Sequence, residues 1–290
     1  MTTTTAPLTD GLVFPEGPRW HDGRLWVADQ HAHRVLAIDM NGNKEVVVEL
    51  DDMPSGLGWL PDGTLLIASM RNQRILKFKD GSLSEHADLT DVGVGYLNDM
   101  VTDGRGNTYV GHRRGKYATP PEINEEWLVL VRPDGSHQVV ADDVVSPNGS
   151  VVTADGKTLI VGESRAQRLS AWNIEQDGTL SGRWTFAQLE EEIPDGICLD
   201  ADGGVWVAGL RTTFSRVMDG GEIVDTIEIR NGQPIACALG GEDRRTLFMI
   251  ITDVDPAHVR SLQTPEDDAR SESIGRVETA RVMVPGAGWP

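Results

Sequence analysis

Six passages of the chain repeat one plan, a short turn-like motif running into an apolar segment. The side chain at the centre of that motif changes each time: Glu16 in PEGPRW, Ser55 in PSGLGW, Asn98 in LNDMVT, Asn148 in PNGSVV, Asp195 in PDGICL and Ile235 in PIACAL. Glu16, Asn98, Asn148 and Asp195 together offer two carboxylates and two carboxamide oxygens. Gathered in one place, such a set is what a hard divalent cation takes, with water completing its shell. Calcium is the leading expectation. Zinc usually takes His or Cys, which this set lacks, although oxygen-rich sites also accept Zn2+, Mn2+ or Mg2+. Asn, Asp and Ser are turn formers in their own right, so a single motif says little. Glu is not, and the donors share one repeat register.

The spacings between the six central residues are 39, 43, 50, 47 and 40 residues. A period in the forties, with two or three short strand patterns and Gly turns per unit, fits the blades of a β-propeller rather than helical repeats. After each second strand a third is visible, as in RVLAIDMNG, RILKFKDG and LVLVRPDG. The expectation is an all-β, six-bladed propeller with four-stranded antiparallel blades, forming one domain over residues 1–290. Helical turns have room only at EWLVLV, at AQLEEE and in the last long connection. The final unit, ending in GRVETARVMV, lacks a strand that TTTTAPLTDGLVF can supply, so the N-terminal strand is expected to close the last blade and cover its edge. In this register the Pro and Gly of each motif build the same turn, and the six central residues surround the axis.

Composition narrows the function classes. A net charge of −19 repels nucleic acid and anionic membranes, whose binding needs clustered Lys and Arg. No apolar run approaches the length of a membrane helix, and the Thr-rich start lacks the parts of a signal peptide, so a cytoplasmic protein with a small-molecule partner is expected. Nothing predicts an oligomer. Cys198 and Cys237 lie in apolar runs and read as buried reduced thiols. No Gly-x-Ser-x-Gly elbow, nucleotide-binding Gly loop or CxxC pair is present, which leaves covalent serine hydrolysis and redox cofactors without support.

FPEGPRW, SPNG, PDGICLD and CALGGEDRRTLFM, in that order and spacing, resemble the senescence marker protein/gluconolactonase family, the regucalcin-like six-bladed propellers. The resemblance covers essentially the whole chain. It implies one divalent metal on Glu16, Asn148 and Asp195, and an Asn close to metal or substrate at Asn98. It also implies lactone hydrolysis, with phosphotriester hydrolysis in some relatives. Sugar-lactonase members often carry Arg two residues before that Asn, where Tyr96 stands here.

A bound divalent ion can polarise an ester carbonyl or lower the pKa of a water. The resulting expectation is a metal-dependent lactonase in which Asp195 is both ligand and proton acceptor. The alternatives are a phosphotriester hydrolase on the same site and a calcium-binding propeller without catalysis. Substrate contacts are expected from Asn98, from Tyr96 and from the loops after the second strands, which carry Asp29, Ser69, His112, Glu163 and Gly209. Of these, His112 and Glu163 are the candidates, His112 because it titrates in the working range.

Overall fold

The computed structural model describes residues 4–114, 126–190, 192–253 and 274–289. After β1 (Ala6–Leu12), the first blade is β2 (Pro15–His21), β3 (Arg24–Asp29), β4 (Arg34–Ile38) and β5 (Lys44–Glu49). The second is β6 (Pro54–Trp59), β7 (Leu65–Ser69), β8 (Arg74–Lys79) and β9 (Ser82–Asp88). The third is β10 (Tyr96–Thr102), β11 (Thr108–Arg113), β12 (Glu126–Val131) and β13 (His137–Val144). The fourth is β14 (Pro147–Val152), β15 (Thr158–Glu163), β16 (Arg168–Ile174) and β17 (Leu180–Gln188). The fifth is β18 (Pro194–Leu199), β19 (Val205–Gly209), β20 (Thr213–Val217) and β21 (Ile223–Glu228). The last joins β22 (Gln233–Gly240), β23 (Thr246–Thr252) and β24 (Gly275–Arg281) to β1. The chain is thus an all-β propeller of six four-stranded antiparallel blades, as its repeat predicts.

The turns between strands follow from the Asp residues that begin them. Asp103 Oδ1 accepts the backbone N–H of Arg105 and of Asn107, each at 2.9 Å, and Asp200 Oδ1 does the same for Asp202 and Gly204 at 3.0 Å. Such a side chain replaces the backbone partners a tight turn leaves unpaired.

The core is divided into interfaces between neighbouring blades. Trp26 and Val35 of the first blade pack with Leu57 and Ile67 of the second, while Trp206 and Phe214 of the fifth pack with Cys237 and Met249 of the last. Burying one such aliphatic or aromatic side chain contributes about 1.5–3 kcal/mol, so each blade depends on both neighbours. Cys198 and Cys237 are buried free thiols in adjacent blades, with sulfurs 3.5 Å apart.

β1 closes the ring as expected, pairing Ala6 with Thr279, Pro7 with Glu278 and Leu12 with Gly275. The helical turns differ from the sequence reading. EWLVLV is strand β12, only Ala187 and Gln188 of AQLEEE belong to β17, and the last long connection lies outside the described residues. Short 3-10 turns occur instead at Gln30–Ala32 and Ser164–Ala166, directly after the second strands of the first and fourth blades. No helix among the described residues is long and apolar enough to cross a membrane.

The C-terminal tail crosses the end of the propeller opposite the repeated motifs. Gly286 N–H donates to Arg244 O at 2.7 Å and Ala287 N–H to Leu199 O at 2.9 Å. Gly288 then lies over Val152 O, and the Trp289 ring lies on Gly104. Above this strap, Arg19, Trp20, Ser150, Cys198 and Leu239 help to line a cavity of about 40 Å³.

Candidate active site

The six motifs open the innermost strands β2, β6, β10, β14, β18 and β22, which pack on one another around the axis. Each of these strands has a register irregularity beside its motif, between Glu16 and Arg19, Pro54 and Leu57, Leu97 and Met100, Pro147 and Ser150, Pro194 and Ile197, and Pro234 and Ala236. A bulge at a rim re-aims side chains that strict alternation would send to opposite faces. Here it lets both Asn98 and Asp99 reach polar partners in other blades.

The motif glycines do something other than turn the chain. Gly17 alone among them has a positive φ, 50°. A Cβ on Gly149 would stand 2.5 Å from both Asp195 O and Ile197 N, and one on Gly196 would stand 2.3 Å from Ala236 Cβ. Glycine is needed because the next blade's motif lies against it. That closeness brings the ring together.

Hydrogen bonds then run from blade to blade. Ser55 Oγ donates to Asn98 O at 2.8 Å, and Asn98 Nδ2 donates to Pro147 O at 3.0 Å. Asn148 Nδ2 donates to Ser164 Oγ at 3.1 Å, which donates to Pro194 O at 2.7 Å. With both Nδ2 atoms engaged by protein, the Oδ1 atoms of Asn98 and Asn148 are the ones left to receive a ligand.

Two carboxyls complete the ring. Desolvation pushes Asp195 up to about 7, with the charge of Asp99 adding to it, while the Asn148 hydrogen bond and the Arg113 charge pull the other way. Desolvation, then the charges of Asp195 and Asp99, hold Glu16 well above the ordinary carboxylate range. Asp99 itself is matched by a buried cation, since Arg19 Nη2 donates to its Oδ1 at 2.9 Å. Two carboxyls that resist ionisation therefore stand together, and either protons or a cation offsets the charge they would carry. Among the described residues no three His, Cys, Asp or Glu side chains form a metal-ligand cluster; the ring offers two carboxylates with carboxamide oxygens instead. This oxygen-only set fits a hard cation better than zinc.

His112 and Glu163 lie one strand further from the axis than the ring. The His112 ring is fully buried, with Nε2 2.7 Å from Gln73 Oε1, its face tilted on Trp127 and its pKa lowered by burial. Glu163 is fully buried as well. Its oxygens accept from Arg168 Nε at 3.0 Å, Val145 N–H at 2.8 Å, Ser170 Oγ and Arg183. Asp29 plays the same part in the first blade, accepting the N–H groups of Val13 and Phe14 at 2.8 and 2.9 Å and the guanidinium of Arg34. Both acids thus hold the segment leading into their own blade's motif. Tyr96 stands at the start of β10 with the Arg113 guanidinium 5.5 Å above its ring.

Sequence reasoning missed Asp99 and Arg19. The available signal was the Asn-Asp pair of LNDM, in which an acid stands where four of the other motifs have Gly.

A profile of the SMP-30/Gluconolactonase/LRE-like region matches residues 14–252. A 6-deoxy-6-sulfogluconolactonase of Pseudomonas putida is 27% identical over 286 residues, covering 96% of this chain and 94% of that protein. Among solved structures, a luciferin-regenerating enzyme superposes with a TM-score of 0.81 at 19% identity, over 99% of this chain and 98% of its own. A calcium-binding protein, regucalcin, from Agrobacterium tumefaciens superposes with a TM-score of 0.78 at 21% identity, over 98% and 94%. These two likenesses show the fold.

Proposed function

The chain belongs to the SMP-30/gluconolactonase/LRE-like family, and from that premise we propose that it is a divalent-metal-dependent lactonase whose site is the ring of Glu16, Asn98, Asn148 and Asp195. Family membership supports lactone hydrolysis. One observation carries the site: two desolvated carboxyls, Glu16 and Asp195, stand within electrostatic reach of each other where four innermost strands converge. A scaffold has no use for such a cost.

Glu16, Asn148 and Asp195 would hold the cation, and Asn98 would contact cation or substrate. Calcium suits the all-oxygen donors, and the similar regucalcin structure is that of a calcium-binding protein. When bound, the cation supplies a fixed positive charge that polarises an ester carbonyl. Asp195 takes a proton from the attacking water, holds it, and returns it to the ring oxygen as the C–O bond breaks. Burial pushes Asp195 up to about 7, and the charge of a bound cation would bring it down from there, leaving it ionised as the acceptor near neutral pH. Asn148 orients Asp195 by its hydrogen bond, and Glu163 and Asp29 act as positioning residues that hold the segments leading into the Asn148 and Glu16 motifs. Tyr96 flanks the substrate. His112, tied to Gln73, supports the third-blade wall.

The test is proton release from γ- and δ-lactones by chelator-treated protein before and after Ca2+, Zn2+ or Mn2+ is restored. Activity that returns only with metal and is lost in Glu16→Gln is the expected result. Tight metal binding without turnover of any lactone would transfer the site to phosphotriesters or to binding alone.

A further inference from the structure

Arg113 ends β11 and lies in register with Tyr96, the residue that opens β10. Its guanidinium is carried 5.5 Å above the Tyr96 ring, a geometry that supports a cation without neutralising it. No carboxylate among the described residues stands within ion-pair distance of it. Its Nε is buried and has no hydrogen-bond partner. Elsewhere in this acidic chain, Arg34, Arg168, Arg183, Arg216, Arg276 and Arg281 are each paired with an acid. Tyr96 lies two residues before Asn98 on the same innermost strand, so Arg113 is held over the mouth of the ring, and its charge is felt at Asp195.

A half-buried guanidinium whose Nε is without a partner, and which meets no carboxylate among the described residues, has donors open to a ligand. Arg presents a planar fork of donors that matches the paired oxygens of a carboxylate, sulfonate or phosphate. In a chain of net charge −19 the overall field repels anions, so an anionic substrate needs a local cation of this kind. A neutral lactone does not.

We propose that Arg113, supported on Tyr96, receives an oxyanion substituent of the substrate, so that the lactones this protein prefers carry a carboxylate, sulfonate or phosphate group besides the ring ester. The inference rests on the lactonase reading of the ring. It adds a substrate class and a residue that selects it. Arg113 touches the substituent and not the reacting carbonyl; because its charge also lowers Asp195, its removal shifts the pH profile of charged and neutral lactones alike, and selection is read as the ratio between them.

A matched pair of substrates tests this: γ-butyrolactone bearing a carboxylate on the ring carbon next to oxygen, and the corresponding carboxamide. With each lactone assayed at its own optimum pH, Arg113→Met is expected to lower the ratio of kcat/KM for the carboxylate to that for the carboxamide about 10- to 100-fold, the range for losing a charged hydrogen-bond partner. Arg113→Lys should recover part of the loss, and added salt should weaken wild-type selection for the carboxylate. Equal losses on both lactones, or none on either, would overturn the proposal. Calorimetric binding of the ring-opened dicarboxylate to wild type and Arg113→Met separates this proposal from the lactonase reading. A Kd raised about tenfold or more in the variant supports the anion site even if no lactone turns over, and equal Kd values refute it.

Discussion

Arg19 of the first blade and Asp99 of the third form a buried ion pair across the axis, Nη2 to Oδ1 at 2.9 Å, past the intervening second blade. The guanidinium also donates to Pro18 O and Met100 O, so its position is fixed from both sides. Its charge offsets part of that of Asp99, which still adds to the raising of Glu16 and Asp195. Removing one partner of such a pair strands the other charge. Arg19→Met should therefore destabilise the protein by about 3–5 kcal/mol in urea unfolding, while Arg19→Met with Asp99→Asn should recover much of that loss. Strictly additive effects would mean that the pair is not coupled.

The ring carboxyls make the metal-free protein prefer acid. Asp195 is raised from about 3.8 unfolded to about 7 folded, so between those values the native state binds more protons than the unfolded state. Stability then falls as pH rises through that window, because ∂ΔG/∂pH follows the protons bound unfolded minus those bound folded. Chelator-treated protein should lose a few kcal/mol from this group between about pH 4 and pH 7. Asp195→Asn should flatten the slope, and excess Ca2+ should reverse it by replacing the proton. An unchanged slope in Asp195→Asn would remove this residue as its source.

Gly149→Ala tests whether blade contact or turn geometry demands the motif glycine. Its φ needs no glycine, yet the new Cβ would strike Asp195 O and Ile197 N in the fifth blade. Overpacking of this kind costs about 1–3 kcal/mol, and here it also displaces the backbone that carries Asp195. A lowered Tm together with weakened metal affinity is expected. A wild-type Tm would show that the fifth blade yields freely.

Deleting residues 1–10 should lower Tm out of proportion to their number. The deletion removes the pairs of Ala6, Pro7 and Thr9 with β24, takes away Leu8 from the core between the last and first blades, and frees Lys44, which donates to Asp10 O. The strand edge it uncovers is also a route to aggregation. A truncated protein that melts as the full chain does would assign closure to Leu12 and Phe14 alone.

The repeat was legible because a propeller turns sequence period into angle. Residues such as Glu16 and Asp195, far apart along the chain, share a ring by holding the same place in their units. The closing strand was legible because the last unit was short of one. Arg19 and Asp99 were hidden because they join non-adjacent units at different repeat positions, 80 residues apart, through a bulge that alternation does not foretell. The motif glycines were visible but misassigned, since a turn and a close approach demand the same residue. Glu163 was visible as an acid near the site, whereas the arginines that surround it, Arg168 and Arg183, belong to later strands.

The strap formed by residues 286–289 ties together the ends of the third to sixth blades on the side away from the motifs. Ala287 is bonded to Leu199 and Trp289 lies on Gly104, so the tail acts as a staple between blades that are far apart in sequence. At the opposite end, beside the motifs, the Arg113 guanidinium lies over the Tyr96 ring. In the proposed reaction, ring opening turns the lactone into a hydroxy acid whose fresh carboxylate is a second anion for that guanidinium. The proposed product would then compete with the next substrate for one cation, and inhibition by product would rise with the charge it carries.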